Sequence, residues 1–170
     1  MKTLLACLTL FLSAQVAQAL SCLPYNILRD FNDKADQAEA YVIYLASYRS
    51  KGFVLDPNTE NDGPLIGIEF TVAVDLEGRA LNKHGFAAPE RFDATIRMTC
   101  AAHWCGGYAD VTTPELMFLR KTDAGYVREV GPCDGYTANP PVEEMVPILQ
   151  KCLRRGACSE RNIKRFDRFR

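Results

Sequence analysis

Cys100, His103 and Cys105 stand close enough in the sequence to share one metal ion. Thiolate and imidazole are ligands that zinc and copper accept, but a closed structural site needs a fourth ligand and the neighbourhood offers none. The competing chemistry is a disulfide between the two cysteines beside an exposed histidine. We adopt that reading, and keep a periplasmic metal-binding protein using Cys100, His103 and Cys105 as the alternative. The overlapping run Trp104-Cys105-Gly106-Gly107 has the look of a dithiol redox centre. That chemistry needs a second cysteine two residues on, where Tyr108 stands, so thiol catalysis is not expected.

The remaining candidates are weaker. Asp30, Asp33, Asp36 and Glu39 could pair for acid/base work, but they fall on the wetter side of an amphipathic helix, where acids are ordinarily just solvated. His84 lies among polar loop residues. With two histidines in the chain and no serine motif, a hydrolytic triad is not assembled. Gly106-Gly107 lacks the following Lys and Ser/Thr of a phosphate loop. No catalytic residues, no cofactor and no enzyme activity are expected.

The elements that must position these residues begin after a leader. Lys2, the apolar run Leu4 to Leu12 and Ala17-Gln18-Ala19 give the charged, apolar and small-residue regions of a secretory signal over residues 1–19. The apolar run is too short to span a bilayer. Residues 20–170 are enough for one domain with a core. Cys7 leaves with the signal, so the chain's seven cysteines become six: Cys22, Cys100, Cys105, Cys133, Cys152 and Cys158. An even set in an oxidising compartment reads as three disulfides, with the pairing left open by sequence. The expected location is the periplasm or the extracellular space. Formal charge is −1 for the whole chain, and the loss of Lys2 makes it −2. The charge is uneven, with an acidic body and a basic stretch from Arg154 onward.

Ile27, Leu28, Phe31 and Ala35 recur at helical spacing and predict a short helix from Tyr25 to about Ala38. Tyr41 to Tyr48 is aromatic and β-branched, a strand buried on much of both faces. Residues 51–64 are rich in Gly, Pro, Asn and Asp and predict a loop. Ile66, Ile68, Phe70, Val72, Val74 and Leu76 then alternate with smaller or polar residues, a strand with one inward face that Gly78 should end. Phe92, Ala94, Ile96, Met98 and Cys100 define another inward face. Leu116 to Arg120 and Tyr126 to Val130 are strands around a turn at Asp123-Ala124-Gly125. Val142, Met145, Val146, Leu149, Cys152 and Leu153 trace a helical face that Gly156 ends, with a late start or a kink at Pro147. The predicted fold is mainly β (α+β): a five-stranded, OB-fold-like antiparallel barrel with a short N-terminal helix and a C-terminal helix, braced by disulfides. The domain should span 20–158. Residues 159–170 form a basic tail whose Ile163, Phe166 and Phe169 are spaced by three; its cations and lack of a cap predict a mobile segment, dispensable for folding, that contacts anionic surfaces.

Residues 22–153 resemble the netrin-like module, the OB-fold shared with the tissue inhibitors of metalloproteinases. The resemblance rests on Ser21-Cys22-Leu23-Pro24 at the start, the long strand at 66–77, Cys105-Gly106 before a strand, Cys133 after the last hairpin and the helix carrying Cys152. The chain is also similar to small exported bacterial proteins with a Ser-Cys-Leu-Pro start and a Trp-Cys-Gly-Gly segment. It departs from the netrin-like pattern in having one cysteine at the start, in Cys100 and in Cys158. The resemblance implies a Cys22–Cys133 bond. It leaves Cys105 without its usual partner, with Cys100 the nearest substitute, and Cys152 with Cys158 to close the helix end. It further implies a non-catalytic protein-binding module, in the manner of a protease inhibitor, whose contacts would come from Leu20, Ser21, Cys22, His103 and Trp104. The partner is an unknown protein; nucleic acid is not expected. In that family a terminal cysteine amine reaches a protease zinc. Cleavage after Ala19 leaves Leu20 and Ser21 ahead of Cys22, so zinc chelation is not expected; cleavage after Ser21 would permit it.

Overall fold

A computed structural model describes residues 22, 25–55, 69–101, 104–134 and 141–167. Helix α1 (Ile27–Ala35) is followed by β1 (Tyr41–Leu55), β2 (Glu69–Asn82), β3 (Gly85–Phe86), β4 (Glu90–Ala101), β5 (Trp104–Cys105), β6 (Val111–Thr122) and β7 (Gly125–Val130). Helices α2 (Val142–Arg155) and α3 (Glu160–Phe166) complete the order.

Five of the strands close a barrel in the order β1-β2-β4-β7-β6, returning to β1, with β3 and β5 as short additions on β2 and β4. The barrel is antiparallel except for β4 with β7, which run parallel from Ala94↔Tyr126 to Met98↔Val130. That parallel pair and the third helix are the departures from the expected architecture. The inward phase read from sequence holds: Val72, Val74 and Leu76 face Ile96, Met98, Met117 and Leu119 inside the barrel. Tyr44 fills one end, edge-on to Phe92 and Tyr126 at 5.4 and 5.7 Å between ring centres. Its hydroxyl donates to Glu90 Oε1 at 2.6 Å, and burial first, then this bond, pushes its pKa far up.

A second core lies outside the barrel. Ile43, Leu81, Leu116 and Phe118 point outward and are covered by Ile27, Leu28 and Phe31 of α1, Met145 and Leu149 of α2, and Ile163 and Phe166 of α3. Hence β1 and β6 are apolar on both faces, as Tyr41 to Tyr48 suggested.

Several expected boundaries move, each for a local reason. The strand β1 does not stop near Tyr48 for a loop at 51–64. Gly52, at φ 133°, takes up a bulge between Ser50 and Gly52, so the strand bends and continues to Leu55. Residues 56–64 lie outside the described residues, as do Ile66 and Ile68. Gly78 does not end β2, which runs on to Asn82. A side chain at Gly78 would collide with Ala46 Cβ and come within 2.7 Å of the Leu45 carbonyl oxygen, so glycine is needed for two strands to cross closely. In β6, Pro114 sits within the register irregularity between Ala46 and Tyr48 of the partner strand, and the strand starts at Val111 rather than Leu116. Helix α2 begins at Val142 despite Pro147. Pro147 and Glu143, whose carbonyl loses its donor, are both exposed, so water can replace that bond.

The segment expected to be a mobile tail is structured over residues 160–166. Ile163 and Phe166 of α3 are each 5 % exposed, while Arg161, Lys164 and Arg165 stay on the wet side. The three-residue spacing did mark a buried stripe. The cations that argued against order simply occupy the other face.

Candidate partner-binding rim

The parallel ends of β4 and β7 bring the singled-out residues together. Beyond Met98↔Val130, β4 continues through Cys100 into a hairpin with β5, where Cys100 faces Cys105 and Ala101 faces Trp104. The facing cysteines are bonded, with Cα atoms 4.0 Å apart. Beyond Val130, β7 passes into a turn in which Gly131 N–H donates to the Asp134 carboxylate and Asp134 N–H donates to Gly131 O at 3.1 Å. That turn carries Cys133, bonded to Cys22, and the third disulfide joins Cys152 to Cys158. All three pairs agree with the pairing that the resemblance implied. Ala102 and His103 lie outside the described residues, as do Leu20 and Ser21.

Gly106 fixes the base of the hairpin. Its N–H donates to Thr99 O at 3.0 Å, and a side chain there would strike the Val130 carbonyl. The sequence pair Cys105-Gly106 therefore places the disulfide and lets the hairpin rest against β7. After it, Tyr108 and Asp110 fasten the segment to β1. Tyr108 stacks at a tilt on Tyr48, 6.2 Å between centres, and donates to Asp110. Asp110 Oδ1 accepts the Ser50 N–H at 2.8 Å. Those donors hold the Asp110 carboxyl below its usual range, the Tyr108 hydroxyl first. They also cap an outward backbone group of β1 beyond its last contact with β6.

On this clamped hairpin Trp104 is 60 % exposed, the only exposed large apolar side chain among the described residues. Cys22, Cys133, Cys100, Cys105 and Trp104 thus share one end of the barrel. With both sulfurs of Cys100 and Cys105 bonded to each other, neither is available as a thiolate ligand, which removes two members of the metal set. Among the described residues, no group of three His, Cys, Asp or Glu side chains is placed to hold a metal ion. His84 is exposed in the β2–β3 turn, where its N–H donates to Asn82 Oδ1 at 2.8 Å.

Sequence reasoning missed a second concentration of polar groups. The strands β6 and β7 pair only from Arg120↔Val127 to Thr122↔Gly125 and diverge beyond, leaving a cleft of about 70 Å3. Side chains fill this seam. Arg128 occupies an inward-phase position of β7, bonded to Glu115 at 2.8 Å and to Tyr48 Oη at 3.0 Å. Glu129 accepts from Tyr41 Oη at 3.0 Å and Arg120 Nε at 3.1 Å. From α1, Lys34 reaches Asp30 at 3.1 Å and lies over the Tyr41 ring, 4.7 Å from its centre. Tyr25 donates to Asp30 Oδ2 at 3.3 Å. Burial pushes the Tyr25 hydroxyl well up, helped by the Asp30 charge. Burial likewise raises Asp30, against the pull of Lys34. Asp30 is therefore half-buried rather than on the wet face, whereas Asp33, Asp36 and Glu39 are exposed as read. Asp30, Glu115 and Glu129 each face a cation, so ion pairs line the seam.

Among the described residues no helix is long and apolar enough to cross a membrane. Comparison with protein-family models, with curated proteins and with solved structures finds no match to this chain.

Proposed function

We propose that this protein is an exported, non-catalytic binding module that grips a protein partner with the rim at the ends of β4 and β7. The observation that carries the reading is Trp104, a large amphipathic ring presented to solvent from a disulfide-held hairpin. An indole held this way contributes contact area with little ordering cost, the character of an interface anchor. The resemblance of residues 22–153 to the netrin-like module points the same way, and with it a protease as one class of partner. Three disulfides fit an oxidising compartment, periplasmic or extracellular. The exposed cations of α3 are the part suited to anionic surfaces, and an acidic body makes nucleic acid a poor partner.

The test is capture from periplasmic or secreted material with the oxidised protein as bait, a photo-crosslinker at Gly107, where an added side chain meets open space, and a parallel Trp104→Ala bait. A crosslinked partner lost with Trp104→Ala, by about thirtyfold in affinity for a hot-spot anchor, supports the reading. Equal capture by both baits removes Trp104 from the interface and overturns it.

A further inference from the structure

We propose that Cys100–Cys105 is an exchangeable disulfide, opened under native conditions by an external dithiol, and that its opening releases Trp104 without unfolding the barrel. The three disulfides differ sharply in setting. Cys152 and Cys158 are 2 % and 5 % exposed within the second core, so a thiolate reaches them only if α2 and α3 part. Cys22 and Cys133 are half-buried, and their bond closes a loop with a sequence separation of 111. Cys100–Cys105 instead bridges directly opposed residues of a two-residue ladder on the rim, both half-buried, followed by the exposed backbone of Gly107. Access decides exchange rates between otherwise similar disulfides, so Cys100–Cys105 opens ahead of the buried Cys152–Cys158, and of the two half-buried bonds it alone holds the hairpin that presents Trp104.

The step balances as ordinary thiol–disulfide exchange. A thiolate of the dithiol attacks Cys105 Sγ from the Gly107 side. The Cys100–Cys105 bond breaks, a mixed disulfide forms at Cys105, and Cys100 leaves as a thiolate that takes a proton from water. The second thiol of the reagent, deprotonated, attacks the reagent sulfur of that mixed disulfide and expels Cys105 as a thiolate. The dithiol ends as its disulfide and the protein gains two electrons as two thiols.

The structural outcome follows from what remains. Without the crosslink, β5 keeps only its two-residue pairing, and a ladder that short is marginal in water. Gly106 stays fixed through Thr99 O and the Val130 carbonyl, so loosening stops at the base of the hairpin and the barrel is untouched. The two thiols remain neighbours through that base, which makes reclosure on removal of the dithiol the expected course. Any effect on partner binding rests on the Trp104 reading above; the exchange itself does not.

The experiment uses the oxidised protein, dithiothreitol at graded concentrations, and rapid alkylation followed by peptide mapping. Emission of Trp104, the single tryptophan, is followed in parallel. Cys100 and Cys105 should become alkylated at least about tenfold faster than Cys152 and Cys158, with emission rising as the neighbouring disulfide quencher is lost. Far-ultraviolet dichroism should stay unchanged. A Cys100→Ser/Cys105→Ser variant should show the emission of the reduced protein. Earlier or equal reduction of Cys152–Cys158 overturns the assignment, and so does reduction at Cys100–Cys105 with unchanged emission. Both readouts are free of any partner, so a failed capture experiment would leave this result standing.

Discussion

The side-chain amide of Asn26 donates to the Ile163 carbonyl at 3.0 Å and to Asp167 Oδ1 at 2.8 Å, across 137 and 141 residues of sequence. The same side chain caps α1, its Oδ1 accepting the Leu28 N–H at 3.0 Å. Arg29 adds an ion pair to Asp167 at 2.6 Å. Asn26 is the only buried polar residue among the described ones, and its partners lie in the segment that sequence alone marked as a tail.

Ending the chain after Ser159 should therefore destabilise the fold. The cut removes the buried Ile163 and Phe166 and leaves the Asn26 amide without its acceptors. Phe166→Ala alone should lose about 3 kcal/mol or more, from lost burial and the cavity left behind. That corresponds to a melting temperature lower by about 10 °C for a domain of this size. A truncated protein melting with the full chain would show that α3 contributes nothing.

Asn32 makes a reciprocal pair with Cys158: its Nδ2 donates to Cys158 O at 3.1 Å and its Oδ1 accepts Cys158 N–H at 2.7 Å. Asn32→Asp should keep the acceptor and lose the donor; Asn32→Ala should lose both. Urea midpoints should fall in that order, with Asn32→Ala less stable by about 1–3 kcal/mol because the backbone groups of the buried Cys158 lose their partners. Equal midpoints for wild type and Asn32→Ala would count against the clamp.

Replacing Cys22 and Cys133 together by serine should cost far more than replacing Cys100 and Cys105. The first bond has a sequence separation of 111 and the second of 5. In the chain-entropy model the long loop is stabilised by about 4–5 kcal/mol and the short one by less. Denaturant titration of the two double variants compares them directly, and equal losses would contradict the ranking.

Alkaline stability follows from the tyrosines. Burial first, then its bond to Glu129, pushes the Tyr41 hydroxyl from 10.0 to about 12. Burial and Asp110 do the same for Tyr108. Between pH 10.0 and about 12 the native state thus keeps protons that the unfolded chain releases, so stability is intact below that window and falls as pH rises through it. Absorbance at the tyrosinate band should show delayed ionisation of these groups until the protein unfolds. Full ionisation near pH 10.0 with the fold intact would refute the assignment.

The barrel was legible because its inward faces obey a strict period of two: Val72, Val74 and Leu76, or Ala94, Ile96 and Met98. Sequence failed where a residue served a distant neighbour. Gly78 looked like a stop because nothing local reveals Ala46 above it. Arg128 is a cation in an apolar phase, sensible only once Glu115 and Tyr48 are seen beside it. Asn26 fell inside the helix expected from Tyr25, and nothing local marks it as the cap whose other bonds reach residues far down the chain. The rim was half visible. Cysteine and tryptophan drew attention to Cys100–Gly107, but the approach of Cys133 depends on the parallel pairing of β4 with β7, which no local pattern encodes.

The docking of α3 on α1 also sets a timetable. A growing or threading chain presents Asn26, Leu28 and Phe31 early, yet lacks what covers them until residues 163–167 have followed. The outer layer is unfinishable before then, whatever the barrel strands have achieved. The last helix described therefore makes completion of the outer layer a late event, one that waits for the far end of the domain.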